Sequence, residues 1–126
     1  MKKDDTVYLK HILDAATRIE QYIAGVKPAE FIKNLLLQDG VIRQTEIIGE
    51  ATAQRGVVCH PFKQTTKKLS SATRAKYPQI PWKDIAGMRD KLIHDYLGVD
   101  IDAVWDTAHK DIPALKKQIL QILTAD

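Results

Sequence analysis

An all-α fold, an antiparallel helical bundle, is predicted by three observations. Apolar residues recur at helical spacing through every long stretch of the chain. Almost no segment alternates with the period of two that a half-buried strand needs. The 126 residues suffice for one core and are too few for two, so residues 1–126 are read as a single domain. Four main helices and a short extra one account for the pattern.

The first helix is expected over about residues 5–24. Tyr8, Ile12, Ala15, Ile19, Tyr22 and Val26 recur at helical spacing, and Gly25 with Pro28 ends the pattern. A second runs from Pro28 to about residue 54, with Glu30 complementing its N-terminal dipole. Phe31, Leu35, Ile42 and Gly49 form one face, widened by Leu36, Val41 and Ile48. A helix so apolar belongs at the centre of a bundle. Residues 55–66 break every periodicity and read as a basic loop, punctuated by Gly56 and Pro61. Ser70 or Ser71 caps a short helix that stops near Tyr77, before Pro78. Pro81 opens the next helix, with Asp84 in its first turn and Gly98 as its stop. Asp100 or Asp102 caps the last helix, whose stripe is Val104, Trp105, Ala108, Ile112, Leu115, Ile119 and Ile122. Pro113 should kink it, because one backbone donor is missing.

Composition excludes several classes. No apolar run approaches the roughly 18–20 residues that span a bilayer, so no membrane association is expected. The start, Met1-Lys2-Lys3-Asp4-Asp5, lacks the apolar core of a signal peptide. A lone cysteine, Cys59, cannot form an internal disulfide, which fits a reducing cytoplasm. Cys59-His60 without further cysteine makes a poor metal site; neither metal nor cofactor is expected. His11 and His109 stand isolated on helices. Net charge is +3, but residues 51–83 contain no acid while Arg55, Lys63, Lys67, Lys68, Arg74, Lys76 and Lys83 fall there. That stretch either attracts polyanions or is a solvated connector.

The chemistry concentrates in Met88-Arg89-Asp90-Lys91-Leu92-Ile93-His94-Asp95-Tyr96. Arginine is a permanent cation suited to clamping a phosphate. Histidine exchanges a proton near neutral pH. On one regular helix Arg89 and Tyr96 share a face, while His94 lies about 140° from Arg89. Those two side chains then do not converge on one phosphate unless the helix ends around His94 or a second protomer completes the site. Asp90 could orient either partner or merely be solvated. Arg43, Glu46 and Glu50 are polar residues on the otherwise apolar second helix, either surface pairs or cleft-lining groups. Trp82 and Trp105 read as core or interface residues.

Arg-x4-His alone is a weak signal. Its context is stronger: Pro81-Trp82-Lys83-Asp84-Ile85-Ala86-Gly87-Met88-Arg89-Asp90, then Leu97-Gly98-Val99-Asp100 and Val104-Trp105. Upstream stand Asp5, the run His11-Ile12-Leu13-Asp14-Ala15, and Val41-Ile42-Arg43-Gln44-Thr45-Glu46-Ile47-Ile48-Gly49-Glu50-Ala51. Together these resemble the HEPN superfamily, and within it the HepT-like (DUF86) toxins of HepT/MntA-type toxin–antitoxin systems. The resemblance covers nearly the whole chain.

That resemblance implies a HEPN-type bundle and a homodimeric, metal-independent RNA endonuclease toxin of type VII-like character. Arg89 and His94 would be catalytic, and Tyr96 would accept AMP groups from a cognate minimal nucleotidyltransferase antitoxin. Its substrate would be RNA, a tRNA or an mRNA, and not DNA, which lacks the attacking 2′-hydroxyl. Tyr96 read from its stripe alone is a core aromatic. In this family few residues separate the Gly-Glu-Ala turn from the Lys-Leu-Ser helix, and here residues 55–66 look inserted. The rival reading is a non-catalytic helical nucleotide-binding or adaptor subunit of a nucleotidyltransferase.

Overall fold

Helix α1 (Lys3–Ile23) forms because Leu9, Ile12, Ala16 and Ile19 recur at three- and four-residue steps, and all four are fully buried. It stops at Gly25, whose φ of 73° is the left-handed conformation that closes a helix. The structure is a computed structural model, and it describes residues 3–52, 71–88, 93–94 and 98–125. The expected insertion at 55–66 lies outside the described residues.

The single second helix expected from Pro28 onward is two. Helix α2 (Pro28–Lys33) ends at Asn34, and α3 (Leu35–Thr52) begins directly after it. Asn34 leaves helical geometry at φ −105°, ψ 90°, and its side-chain oxygen accepts from Leu37 N at 3.0 Å. Gln38, only 4% exposed, stabilises the break: its Nε2 donates to the carbonyls of Phe31 (2.8 Å) and Ile32 (3.0 Å). Both carbonyls lie in the last turn of α2, where acceptors outnumber helical donors, and Phe31 O also accepts from Asn34 N at 3.2 Å. The break also overturns part of the expected core face. Phe31 and Ile48 are buried, but Leu35 and Leu36 are 72% and 84% exposed.

Helices α4 (Ser71–Lys76) and α5 (Trp82–Ala86) follow, then a two-residue antiparallel ladder of β1 (Ile93–His94) and β2 (Gly98–Val99). Asp100 caps α6 (Ile101–Asp106), its carboxylate accepting from Ala103 N at 3.0 Å. A π-helical turn (Thr107–Asp111) leads without a gap into α7 (Ile112–Ala125). Here the Ile112 N–H reaches back five residues to the Thr107 carbonyl. The irregularity expected at Pro113 is therefore found in the preceding turn, which holds the carbonyls its ring would otherwise meet.

The architecture is an all-α helical bundle. α1 packs against both α3 and α7. Two contacts fix its direction. Lys116 near the start of α7 bonds Glu20 near the end of α1 at 2.6 Å, and Tyr22 lies over Gly40 early in α3. Both neighbours therefore run antiparallel to α1. Phe31, Val41, Ile48, Val104, Ile112 and Ile119 fill the space between, all fully buried. Among the described residues no helix is long and apolar enough to cross a membrane.

Candidate functional site

The short helix α5 delivers the chain to Arg89, and it is held at both ends. At its start, the indole N–H of buried Trp82 donates to two carbonyls, Arg74 O at 3.1 Å and Tyr77 O at 2.9 Å. That pins the turn Tyr77-Pro78-Gln79-Ile80-Pro81 against the helix. Gly49 of α3 receives its other end: a Cβ there would stand 3.2 Å from the Ala86 carbonyl oxygen, so only glycine gives α5 this depth of approach. Gly87 then caps α5, donating its N–H to Lys83 O at 3.1 Å, and Met88 is helical again. Asp84 sits in the first turn of α5, as expected.

Beside α5 lies an open cleft of about 650 Å³. Pro81, Lys83, Asp84, Ile85, Gly87 and Met88 form one wall; Asp111, Ala114, Leu115 and Gln118 form the other. Met88, the residue before Arg89, thus borders open space between α5 and α7. Among the described lining residues Lys83 is the cation, while Asp84 and Asp111 are carboxylates. The described walls thus carry one cation against two carboxylates and do not by themselves favour a polyanion.

Several sequence-predicted residues are placed. Arg43 and Glu50 of α3 are exposed and Glu46 is half-buried, and both glutamates are engaged by other groups. At about 100° per residue, all three fall within about 120° of Gly49, on one flank of the line where α5 docks. Arg89, Asp90 and Tyr96 lie outside the described residues. His94 is on β1, paired with Gly98, and Ile93 with Val99. A single helix running to Gly98 is therefore not found: it is broken at Gly87, and the chain is extended by Ile93. The strand is permitted because Gly98, at φ 83°, lets the returning chain reverse within a few residues. Helical angles consequently do not relate His94 to Arg89, and the 140° argument for a second protomer loses its premise.

A second correction concerns the acid-free stretch. Arg74 is 7% exposed, not a solvated cation available to polyanions. Its Nη1 reaches the Thr52 carbonyl at 3.4 Å, and Asp5 of α1 is its charge partner. Burial pushes the Arg74 guanidinium below its ordinary value, and Asp5 opposes that shift. Asp5, 2% exposed, also accepts from the Thr73 hydroxyl. This buried cluster escapes a reading of the sequence, because Asp5 looks like a helix-start acid and Arg74 like one of many surface cations. Only the pairing of Asp5 with Thr73 and Arg74, residues 68 and 69 positions away, explains either.

His109 and Trp105 form a surface stack, ring centroids 3.8 Å apart, with Phe31 beneath Trp105 at 5.1 Å. Among the described residues no group of three or more His, Cys, Asp or Glu side chains could hold a metal ion; Cys59-His60 lie outside them.

Comparison with known proteins gives a consistent picture. A family model described as "Ribonuclease HepT-like" matches residues 12–122. A two-function protein of Methanocaldococcus jannaschii, named "Gamma-glutamylcyclotransferase and putative RNase", is 43% identical over 98% of this chain. The chain spans only 49% of that relative's length. A "Putative RNase" of Caldanaerobacter subterraneus subsp. tengcongensis is 40% identical, covering 92% of this chain and 91% of its own. A "Probable ribonuclease HepT" of Thermococcus cleftensis is 37% identical, covering 92% and 93%. No solved structure matches. With residues 12–122 matched, a stretch that runs from α1 almost to the end of α7 and takes in the Arg-His-Tyr motif, the chain belongs to the ribonuclease HepT-like family.

Proposed function

We propose that this chain is a metal-independent RNA endonuclease, the toxin of a type VII-like toxin–antitoxin pair, acting as a homodimer in the cytoplasm. The observation that carries the reading is the family match across residues 12–122, with Arg89, His94 and Tyr96 all present within it. The relatives' names supply the ribonuclease class. The open cleft supports it too: its wall ends on Met88, the residue that precedes Arg89 in sequence.

The chemistry needs two groups. An RNA 2′-hydroxyl attacks the adjacent phosphorus, the P–O5′ bond breaks, and a 2′,3′-cyclic phosphate and a 5′-hydroxyl result. His94 takes the 2′-hydroxyl proton, and the partner's His94, in the homodimer, gives one to the departing O5′. Arg89 neutralises charge on the non-bridging oxygens. Asp90 and the stripe Arg43, Glu46 and Glu50 would border this site. Tyr96 is the acceptor for AMP from a minimal nucleotidyltransferase antitoxin; the added phosphate and bulk beside Arg89 and His94 then exclude an anionic substrate. The homodimer has support of its own. Ile32, Leu35 and Leu36 expose aliphatic side chains at the α2–α3 break, an apolar edge that the chain's own core does not cover. The test is purified protein with a single-stranded RNA and its all-DNA counterpart, with and without EDTA. Cleavage of the RNA alone, ending in a cyclic phosphate, is expected; intact RNA at high protein concentration would overturn the reading.

One observation favours the rival. Asp84 and Asp111 on the cleft walls oppose a polyanion more than a small ligand. A non-catalytic nucleotide-binding or adaptor subunit of a nucleotidyltransferase would bind that enzyme while leaving RNA uncut.

A further inference from the structure

The buried cluster around Asp5 is costly as a device for stability. A buried carboxylate and guanidinium lose hydration that their attraction only partly restores, and an apolar replacement is often as stable. Its geometry suggests a different use. Asp5 accepts from the Thr73 hydroxyl and attracts Arg74. Arg74 in turn ties α4 to the last turn of α3 through the Thr52 carbonyl. The Arg74 carbonyl accepts from Trp82 Nε1 at 3.1 Å, and Trp82 is the first residue of α5. The far end of α5 is fixed against Gly49. A five-residue helix so held has little freedom, and two residues after Gly87 comes Arg89.

We propose that Asp5 and Thr73 are positioning residues: through Arg74 and Trp82 they set the pose of α5 and of Met88 at the cleft wall, from which the chain continues to Arg89. The inference rests on the ribonuclease reading for its activity readout. Neither residue touches substrate. Each acts by fixing orientation, and a misplacement of about 1 Å at a reacting group costs on the order of a hundredfold in rate.

Thr73→Val is the informative variant, since it removes the hydroxyl donor and keeps the branched shape; Thr73→Ser restores the donor. Single-turnover cleavage of RNA is measured for both and for wild type, well below the melting temperature of each. Amide hydrogen exchange over residues 82–88 is followed on the same samples. Thr73→Val should lower kcat about ten- to a hundredfold with KM within about twofold. It should also speed exchange across α5 while α1 and α7 keep their protection, and Thr73→Ser should recover both. Wild-type kcat in a folded Thr73→Val with unchanged α5 exchange overturns the proposal. So does global unfolding of Thr73→Val, because the cluster would then hold the fold and not the pose. A wild type that cuts no RNA refutes the ribonuclease reading, whereas the exchange arm still decides whether the cluster governs α5.

Discussion

Gly49 and the carbonyl of Ala86 meet so closely that a Cβ on residue 49 would lie 3.2 Å from the oxygen. The contact sets how deeply α5 sinks against α3, and it makes a graded prediction. Gly49→Ala gains roughly 1 kcal/mol of helix propensity and must displace Ala86 by a few tenths of an ångström. The two effects should nearly cancel, leaving stability within about 1 kcal/mol of wild type. Gly49→Val adds branches where none fit, and overpacking of this kind costs about 1–3 kcal/mol. Urea unfolding followed by circular dichroism checks both. A Gly49→Val protein as stable as wild type would mean that α5 does not depend on this approach.

Much of the frame was legible in sequence because helical periodicity reports burial directly. Of the expected α1 stripe Ile12, Ala15 and Ile19 are buried while Tyr22 is exposed, Leu9 and Ala16 completing the face instead, and Asp100 caps as expected. The break at Asn34 was not legible, because Leu35 and Leu36 continue the apolar pattern on either reading. What decides it is Gln38 folding back on two carbonyls, a tertiary-scale choice by a residue that looks like ordinary helix surface. That His94 stands on a strand was not legible either: the apolar and polar residues around it fit a helix as well as a two-residue ladder, and the pairing of His94 with Gly98 decides it. Asp5 and Arg74 needed each other to be understood.

The exposed edge at the α2–α3 break predicts how the protein associates. Leu36 is flanked at three residues by Lys33 and by Asp39, of opposite sign. Lys33 ends α2 and Asp39 lies on α3 across the Asn34 break, so a two-fold contact centred near Leu36 would have opposite charges on its two sides. Sedimentation at micromolar concentration should give about twice the 14.2 kDa chain mass. Leu36→Glu should give a folded monomer. Lys33→Glu and Asp39→Lys should each weaken the dimer and together restore it. A dimer indifferent to Leu36→Glu would place the interface elsewhere.

Residues 55–66 carry only Arg55 and Lys63 as permanent cations. If they add nonspecific RNA affinity, each phosphate contact contributes about 0.7 to the salt slope for a single strand. Deleting 55–66 should therefore flatten the slope of log K against log salt by at most about 1.4, with helical content retained. An unchanged slope would make the stretch a solvated connector, and a collapsed circular dichroism spectrum would make it part of the core.

The catalytic prediction separates three roles within eight residues. Arg89→Ala should lower the cleavage rate by about 10²–10³, the usual loss when one electrostatic stabiliser is removed. His94→Ala should lower it by about 10²–10⁴, the contribution of a positioned general base. Both proteins should keep the wild-type helical spectrum, since the described core is built largely from α1, α3 and α7. Both should lose growth inhibition when expressed. Addition of EDTA should leave wild-type cleavage unchanged. Tyr96→Phe keeps the ring and removes only the hydroxyl, so cleavage should persist while the nucleotidyltransferase can no longer silence it. The measurement is a single-turnover time course on a defined RNA for wild type and the three variants, each with and without prior incubation with the antitoxin and ATP. A His94→Ala protein that cuts as fast as wild type would remove the general base from the scheme and turn the argument toward the nucleotidyltransferase-bound adaptor.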